Sequence, residues 1–269
     1  MSAGYPFPPG PAGPGPQGFA PPPGHVFTSD LSIDEILLVE EVDFEPLELV
    51  LGSAYFNVGW QSAPWSQNME MLEISRLMYT ARITAIARLV AQAQAFRADG
   101  VVGMRLEIER HGNRAEFSAV GTAVRKRKND GATWHDAHGR PFTCDLSGSD
   151  FWALVRGGFR PVSLAHGVCV YHIAHRSFSQ WLSGMGQNME MQAFTQGMYD
   201  ARELAMERMQ EEARAAGCEG IVNVKLHESA HGWDSHIVEM LAVGTAVARI
   251  DDAAHEVHQK PKLVLFAQD

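Results

Sequence analysis

The pentapeptide Gln67-Asn68-Met69-Glu70-Met71 recurs letter for letter as Gln187-Asn188-Met189-Glu190-Met191, an offset of 120 residues. At the same offset Met78-Tyr79 returns as Met198-Tyr199, Ala81-Arg82 as Ala201-Arg202, Gly100-Val101-Val102 as Gly220-Ile221-Val222 and His111-Gly112 as His231-Gly232. Upstream the offset is 115, with Phe27-Thr28-Ser29-Asp30-Leu31-Ser32 over Phe142-Thr143-Cys144-Asp145-Leu146-Ser147; downstream it is 123, with Val120-Gly121-Thr122-Ala123-Val124 over Val243-Gly244-Thr245-Ala246-Val247. Register held over about a hundred residues means two copies of one fold, not a solenoid of short repeats. The offset changes fall after Val58 or Ile173 and after Gly112 or Gly232, where connections tolerate insertion. The organisation read from this is a tail (1–25), a first repeat (26–128), a linker (129–141), a second repeat (142–250) and a C-terminal segment (251–269).

Within each repeat the pattern predicts a short helix, opened by Ser32 or Ser29 in the first copy and by Ser147 or Ser149 in the second. A strand-like run follows over 47–58 and 162–173, with Gly52 and Gly167 as sites for a bend or bulge. A long helix comes next, with Asn68 and Asn188 as N-caps and Glu70 and Glu190 in the first turn, where the helix dipole favours a carboxylate. Met71, Ile74, Met78, Ala81, Ala85 and Leu89 form one stripe at spacings of three and four, copied as Met191, Phe194, Met198, Ala201, Ala205 and Met209. Recurring methionines at that spacing read as core or interface filler. Two strands complete the unit, the first with Val102, Met104, Leu106 and Ile108 alternating with Arg105, Glu107 and Glu109. The fold class is α+β: two tandem repeats, each a three-stranded antiparallel sheet packed on one long helix, with a short preceding helix. One helix covers one face of such a sheet and the strands end at open edges, so a homo-oligomer is expected.

A chain of 269 residues, 45% hydrophobic and 20% charged, is long enough for two cores of roughly 100 residues each. Its apolar runs, such as 36–39 and 237–247 with Glu239 inside, fall short of the ~20 residues a spanning helix needs, so no membrane partner is expected. The N-terminus shows neither the basic flank nor the apolar core of a signal peptide, and a cytoplasmic location is expected. A net charge of -10 argues against a nucleic-acid partner. The basic run Arg125-Lys126-Arg127-Lys128 reads as a solvated start to the linker. Cys144, Cys169 and Cys218 stand opposite Ser29, Ala54 and Ala98, so no thiol belongs to the duplicated design and a disulfide framework is excluded. The Pro- and Gly-rich residues 1–25 cannot bury enough apolar surface to order themselves; they read as a disordered tail, with a polyproline ligand for a protein partner as the alternative.

Both repeats resemble the YbjQ-like family, described as heavy-metal-binding domains. The residues that carry this are the passage from Ala81-Arg82 to Ala98-Asp99-Gly100-Val101-Val102-Gly103, the strand end Gly121-Thr122-Ala123-Val124, and their copies Ala201-Arg202, Gly220-Ile221-Val222 and Gly244-Thr245-Ala246-Val247. The resemblance covers about 200 of the 269 residues and implies a dodecin-like subunit that closes into rings of five domains. Whole two-domain chains cannot fill such a ring, so five chains making ten domains, about 148 kDa from 29.6 kDa each, follow as an expectation.

The family's label directs attention to ligands for a divalent metal ion. His172 and His175, three apart, with His166 upstream, are the leading candidates; imidazoles at that spacing share a Zn or Cu site if the backbone turns, and two further ligands are normally needed. Other pairs are His135 with His138, His255 with His258, and His231 with His236. The first repeat carries Asn57 and Trp60 where the second carries His172 and His175, so a metal site is not what the duplication encodes, and surface histidines are the competing reading. The shared polar set (Glu70, Tyr79, Arg82, His111, Glu116 and their copies) contains no nucleophile elbow, phosphate loop or metalloprotease helix, and no enzyme is expected. Arg82 and Arg202 are read as partners for a carboxylate across the interface between units. The expected function is a non-enzymatic, self-assembling, ring-like oligomer binding a small ligand or metal ion; the alternative is a scaffold that recruits a protein partner through the Pro-rich tail.

Overall fold

Ser32 opens helix α1 (Ile33–Glu41) with a capping box: its hydroxyl accepts the Glu35 N–H while the Glu35 carboxylate accepts the Ser32 N–H. Ser147 opens its counterpart α3 (Gly148–Arg156), accepting the Asp150 N–H. The computed structural model describes residues 26–57, 67–111, 114–128, 133–174, 192–230 and 237–250; the Pro-rich tail, the C-terminal segment and His175 lie outside them. The first unit holds α1, β1 (Phe44–Asn57), β2 (Met69–Glu70), α2 (Leu72–Ala95), β3 (Gly100–His111) and β4 (Arg114–Lys126). The second holds β5 (Phe142–Thr143), α3, β6 (Phe159–His172), α4 (Gln192–Ala215), β7 (Gly220–Ala230) and β8 (Ile237–Arg249).

Each sheet has four strands, not three, in the orders β1-β4-β3-β5 and β2-β6-β8-β7. The fourth strand is taken from the other unit. Strand β5 pairs in parallel with β3 through Phe142 on Gly100 and Thr143 on Val101, and β2 pairs antiparallel with β6 through Met69 on His172 and Glu70 on Tyr171. Strands of two residues carry no periodicity, which is why the sequence pattern stops at three.

Two further expectations are corrected. Helix α2 begins at Leu72, because Met69 and Glu70 are drawn into the β6 ladder; Asn68 accepts the Ala174 N–H instead of capping the helix. The bulges in β1 and β6 lie at Pro46/Glu48 and Pro161/Ser163, where proline lacks a ladder donor, and not at Gly52 and Gly167. Those glycines serve close approach: a Cβ at Gly52 would overlap the Ala85 carbonyl oxygen, and one at Gly167 that of Ala205. The matching shifts in β3 and β7 fall at Gly103 and Asn223, both at positive φ (69° and 56°), a conformation asparagine tolerates better than most residues.

Alternation along β6 separates two faces. Ala165, Cys169 and Tyr171 pack with Ala201, Ala205 and Met209 of α4, whereas Leu164, Val168 and Val170 join a core with Ile74, Met78 and Tyr79 of α2. That same core takes Val50, Ala54 and Phe117 from the first sheet. Helix α2 therefore lies between the two sheets, and the layers run sheet, α2, sheet, α4. Beside them α1 and α3 pack on each other over Phe44, Phe142 and Phe151, and Trp134 of the linker inserts edge-on to Phe44 at 4.8 Å. The basic run is paired, with Arg125 on Glu45, Arg127 on Glu40, Lys128 near Asp43, and Lys126 donating to the Val42 carbonyl. Among the described residues no helix is long and apolar enough to cross a membrane.

Candidate functional site: the junction between the units

Part of the polar set common to both repeats, Glu70, Tyr79 and Arg82 from the first and Glu239 from the second, gathers where α2 meets the second sheet. Arg82 and Glu239 form an ion pair, each under 3% exposed, and Arg82 also donates to the Met78 carbonyl at 3.2 Å and lies over the Phe117 ring. A buried pair of this kind is held by mutual attraction in a medium that solvates neither charge, so each partner needs the other to stay. It places Arg82 in the role its sequence predicts, with the carboxylate supplied by the other unit.

Around that pair the helix start is stitched to β6. Ser75 accepts the Val170 N–H at 2.9 Å, the Met71 N–H donates to the Val170 carbonyl at 2.8 Å, and the Tyr79 ring stacks on His166 with centroids 5.0 Å apart. Glu70 takes both terminal nitrogens of Arg208, at 2.6 and 2.8 Å, while Arg208 also donates to the Val168 carbonyl at 2.7 Å. Burial pushes the Arg208 guanidinium down, but the bonds and charge of Glu70 outweigh it and hold the group above its ordinary value. Glu70 is thus a partner for Arg208, 138 residues away, and not a first-turn carboxylate of α2.

The histidine candidates separate. His166 is fully buried on β6, with Nδ1 3.2 Å from a Glu212 oxygen that also accepts the His166 backbone N–H; the carboxylate is out of line for a ring hydrogen bond. His172 sits six residues on in the same extended strand, about 20 Å away at a strand's rise per residue, with Nδ1 3.2 Å from the Gln67 carbonyl. The structure does not bring His166 and His172 together, and His175, His231, His236, His255 and His258 lie outside the described residues. In the linker, His135 lies 3.6 Å from Asp99, and the His138 backbone N–H donates to Asp136. Among the described residues no three His, Cys, Asp or Glu side chains converge to hold a metal ion, so the described donor set does not form a metal cage. Burial pushes the Cys144 and Cys169 thiols up to about 12, so both are protonated near neutrality.

Beside the junction a cleft of about 460 Å³ opens between β3 and the second sheet. Arg82 and Glu239 stand at its wall, with Arg105, Asp145, Lys225 and His227. Asp145 accepts from Lys225 at 3.1 Å and from Thr245 at 2.7 Å. Arg82, Arg105 and Lys225 are matched by Glu239, Glu107 and Asp145 around an apolar floor that includes Leu164, Leu241 and Val243. Spacing in the sequence could have paired Asp145 with Thr245, since Asp30 and Thr122 hold the same places in the first repeat, where Asp30 N–H donates to Thr122.

Comparison with known proteins bears on the duplication directly. The family described as "Putative heavy-metal-binding" matches this chain twice, over residues 69–127 and 171–249. An encapsulin nanocompartment protein of Mycobacterium tuberculosis is 46% identical over 226 residues, covering 83% of this chain and 86% of that protein. UPF0145 proteins of Halorubrum lacusprofundi and Thermosipho africanus are 47% and 45% identical, each over 58 residues, about half of their own length and 22% of this chain. With one family segment in each unit, the chain belongs to the YbjQ family of heavy-metal-binding-type domains as a tandem, two-copy member.

Proposed function

We propose that this chain is a non-enzymatic building block that assembles with copies of itself into a ring-like oligomer. The observation that carries the reading is the layer order, which among the described residues ends in an uncovered sheet face on one side and an uncovered helix face on the other. Leu51 and Tyr55 on the outer face of β1 are 50% and 67% exposed, and Tyr199 on α4 is 51% exposed. Large apolar and aromatic side chains gathered on two faces mark surfaces meant for a partner. The name of the mycobacterial relative, a nanocompartment protein, supports a role in assembly. Light scattering on the purified protein tests it: a mass several-fold above 29.6 kDa is expected, and a stable mass of one chain overturns it.

A second reading, binding of a small ligand, is favoured by the cleft, with its apolar floor and charges of both signs at the rim. Elemental analysis and absorbance of the intact protein distinguish this from a pure scaffold, since a resident ligand or metal is present in proportion to chains. Metal titration beside a His172→Ala, His175→Ala variant tests the histidine pair in the same experiment.

A further inference from the structure

We infer that two copies of this chain dock head to tail by rebuilding between chains the junction that each holds within itself. In that docking, α4 of one copy lies on the outer face of β1 and β4 of the next, Arg202 pairs with Glu116, and Phe27 of the next copy covers Gly220 of the first. The inference rests on the self-assembly reading and adds to it the surfaces, their polarity and the residues that meet.

Equivalent positions in the two units differ in burial where the junction covers one copy and no described residue covers the other. On the helices, Tyr79 is 4% exposed and Tyr199 51%; Arg82 is buried in its ion pair, whereas Arg202 is exposed and lies over the Tyr199 ring. On the sheets, Val170 and His166 are fully buried, and their counterparts Tyr55 and Leu51 are among the most exposed apolar side chains. Glu239 is buried, while Glu116 is half-buried, with the Tyr55 hydroxyl as a partner. The chemistry of each contact survives exchange. Thr195 supplies the hydroxyl that Ser75 gives to β6, Tyr199 supplies the ring that Tyr79 lays on the strand, and Arg202 meets a carboxylate at the place of Glu239.

The other half of the junction makes the same case independently. Within the chain, the Phe142 ring lies where a Cβ on Gly100 would be, so glycine there is a requirement of contact. Gly220, its counterpart, is exposed and has Val247 Cγ2 at 4.0 Å as the nearest atom to such a Cβ. Phe27, the counterpart of Phe142, is 47% exposed at the opposite end of the molecule. Val224 on β7 is exposed where Met104 is buried on β3. A glycine with open space above it and a half-exposed phenylalanine are the two halves of one contact. The short helices approach less closely than α1 and α3 do, because Ile33 stands where Gly148 admits Glu35.

Such an interface joins two different surfaces, so it propagates in one direction and closes into a ring when the rotation per chain allows. The experiment is a charge exchange on the full chain, read by light scattering, with helicity by circular dichroism as the control for folding. Arg202→Glu and Glu116→Arg each place like charges at the interface, and each alone is expected to fall to about 30 kDa, the mass of one chain. Combined in one chain, the two substitutions restore opposite charges at every interface whatever the ring size and regain the wild-type mass. Gly220→Leu, which fills the place assigned to Phe27 without meeting a neighbour in its own chain, lowers the mass by a separate route. If wild type is large but all the single variants stay large, or if the double variant stays dissociated, the interface is overturned while self-assembly stands. A wild-type mass near 30 kDa overturns both.

Discussion

Strands β1 and β6 have the same length, the same irregularity beside a proline and the same glycine beneath a helix, yet the outer face of one is covered and that of the other is not. The covered face presents Val168, Val170, Leu241 and Val243, and its polar groups are partnered, as in the Arg82–Glu239 pair and the Ser75 bond to Val170 N–H, with the His166 ring stacked on Tyr79. The uncovered face presents Ser53, Tyr55, Ser118 and Val120 at those places. A buried contact between fixed partners tolerates few unpaired polar atoms, whereas a face that must also meet water keeps hydroxyls and aromatic rings with polar tips. The backbone is duplicated; the side chains record what lies over it.

The strongest way to break the comparison is to remove one carboxylate from each face. Glu239→Ala leaves Arg82 buried without its partner and is expected to cost about 3–5 kcal/mol, while Glu116→Ala in the dilute chain stays within about 0.5 kcal/mol, both read from urea midpoints. Equal losses at the two positions would mean that burial of the pair is not what separates the faces. Next comes Glu70→Ala. It strands a guanidinium that is only 6% exposed, and a loss of about 2–3 kcal/mol is expected, with a smaller loss if the Val168 carbonyl and water suffice for Arg208.

Glycine substitution sharpens the same contrast at lower amplitude. Gly100→Ala drives a methyl group into the Phe142 ring and is expected to cost about 1–3 kcal/mol; Gly220→Ala in the dilute chain is expected to change the midpoint by less than about 0.5 kcal/mol. The smallest effect concerns the helix caps. The Ser32 backbone bond holds the Glu35 carboxyl below its ordinary value of 4.5, burial opposes this, and the Ser32 hydroxyl and Gly148 N–H reinforce it. A depressed folded value contributes stability above pH 4.5 that is lost as pH falls through the folded value, so Glu35→Gln is expected to flatten the acid limb of a stability curve below that pH.

Much of this architecture was legible because burial imposes periods. The stripe from Met71 to Leu89 could only be a helix, the alternation from Val102 to Ile108 could only be a strand, and the offsets tied each to its copy. Arg82 was legible as an interface residue for the same reason, being a retained charge on an otherwise small and apolar helix face. What escaped was whatever depends on pairing between units. Met69-Glu70 and Phe142-Thr143 are too short to show a period, so the exchanged strands were invisible, and with them the later start of α2. Glu70 had a local explanation, the helix dipole, that hid its remote partner. The spacing of His172 and His175 invited a shared ligand only if the chain turned between them; β6 ends at His172, and His175 lies outside the described residues.

The reciprocal exchange of β2 and β5 means that the seam inside the chain is crossed by backbone in both directions and sealed by a desolvated charge pair. Fusion of two units into one polypeptide freed that seam to become dry and rigid, while the outward faces stayed wettable. An object made of such chains therefore comes apart along alternate seams, shedding whole molecules and never half ones.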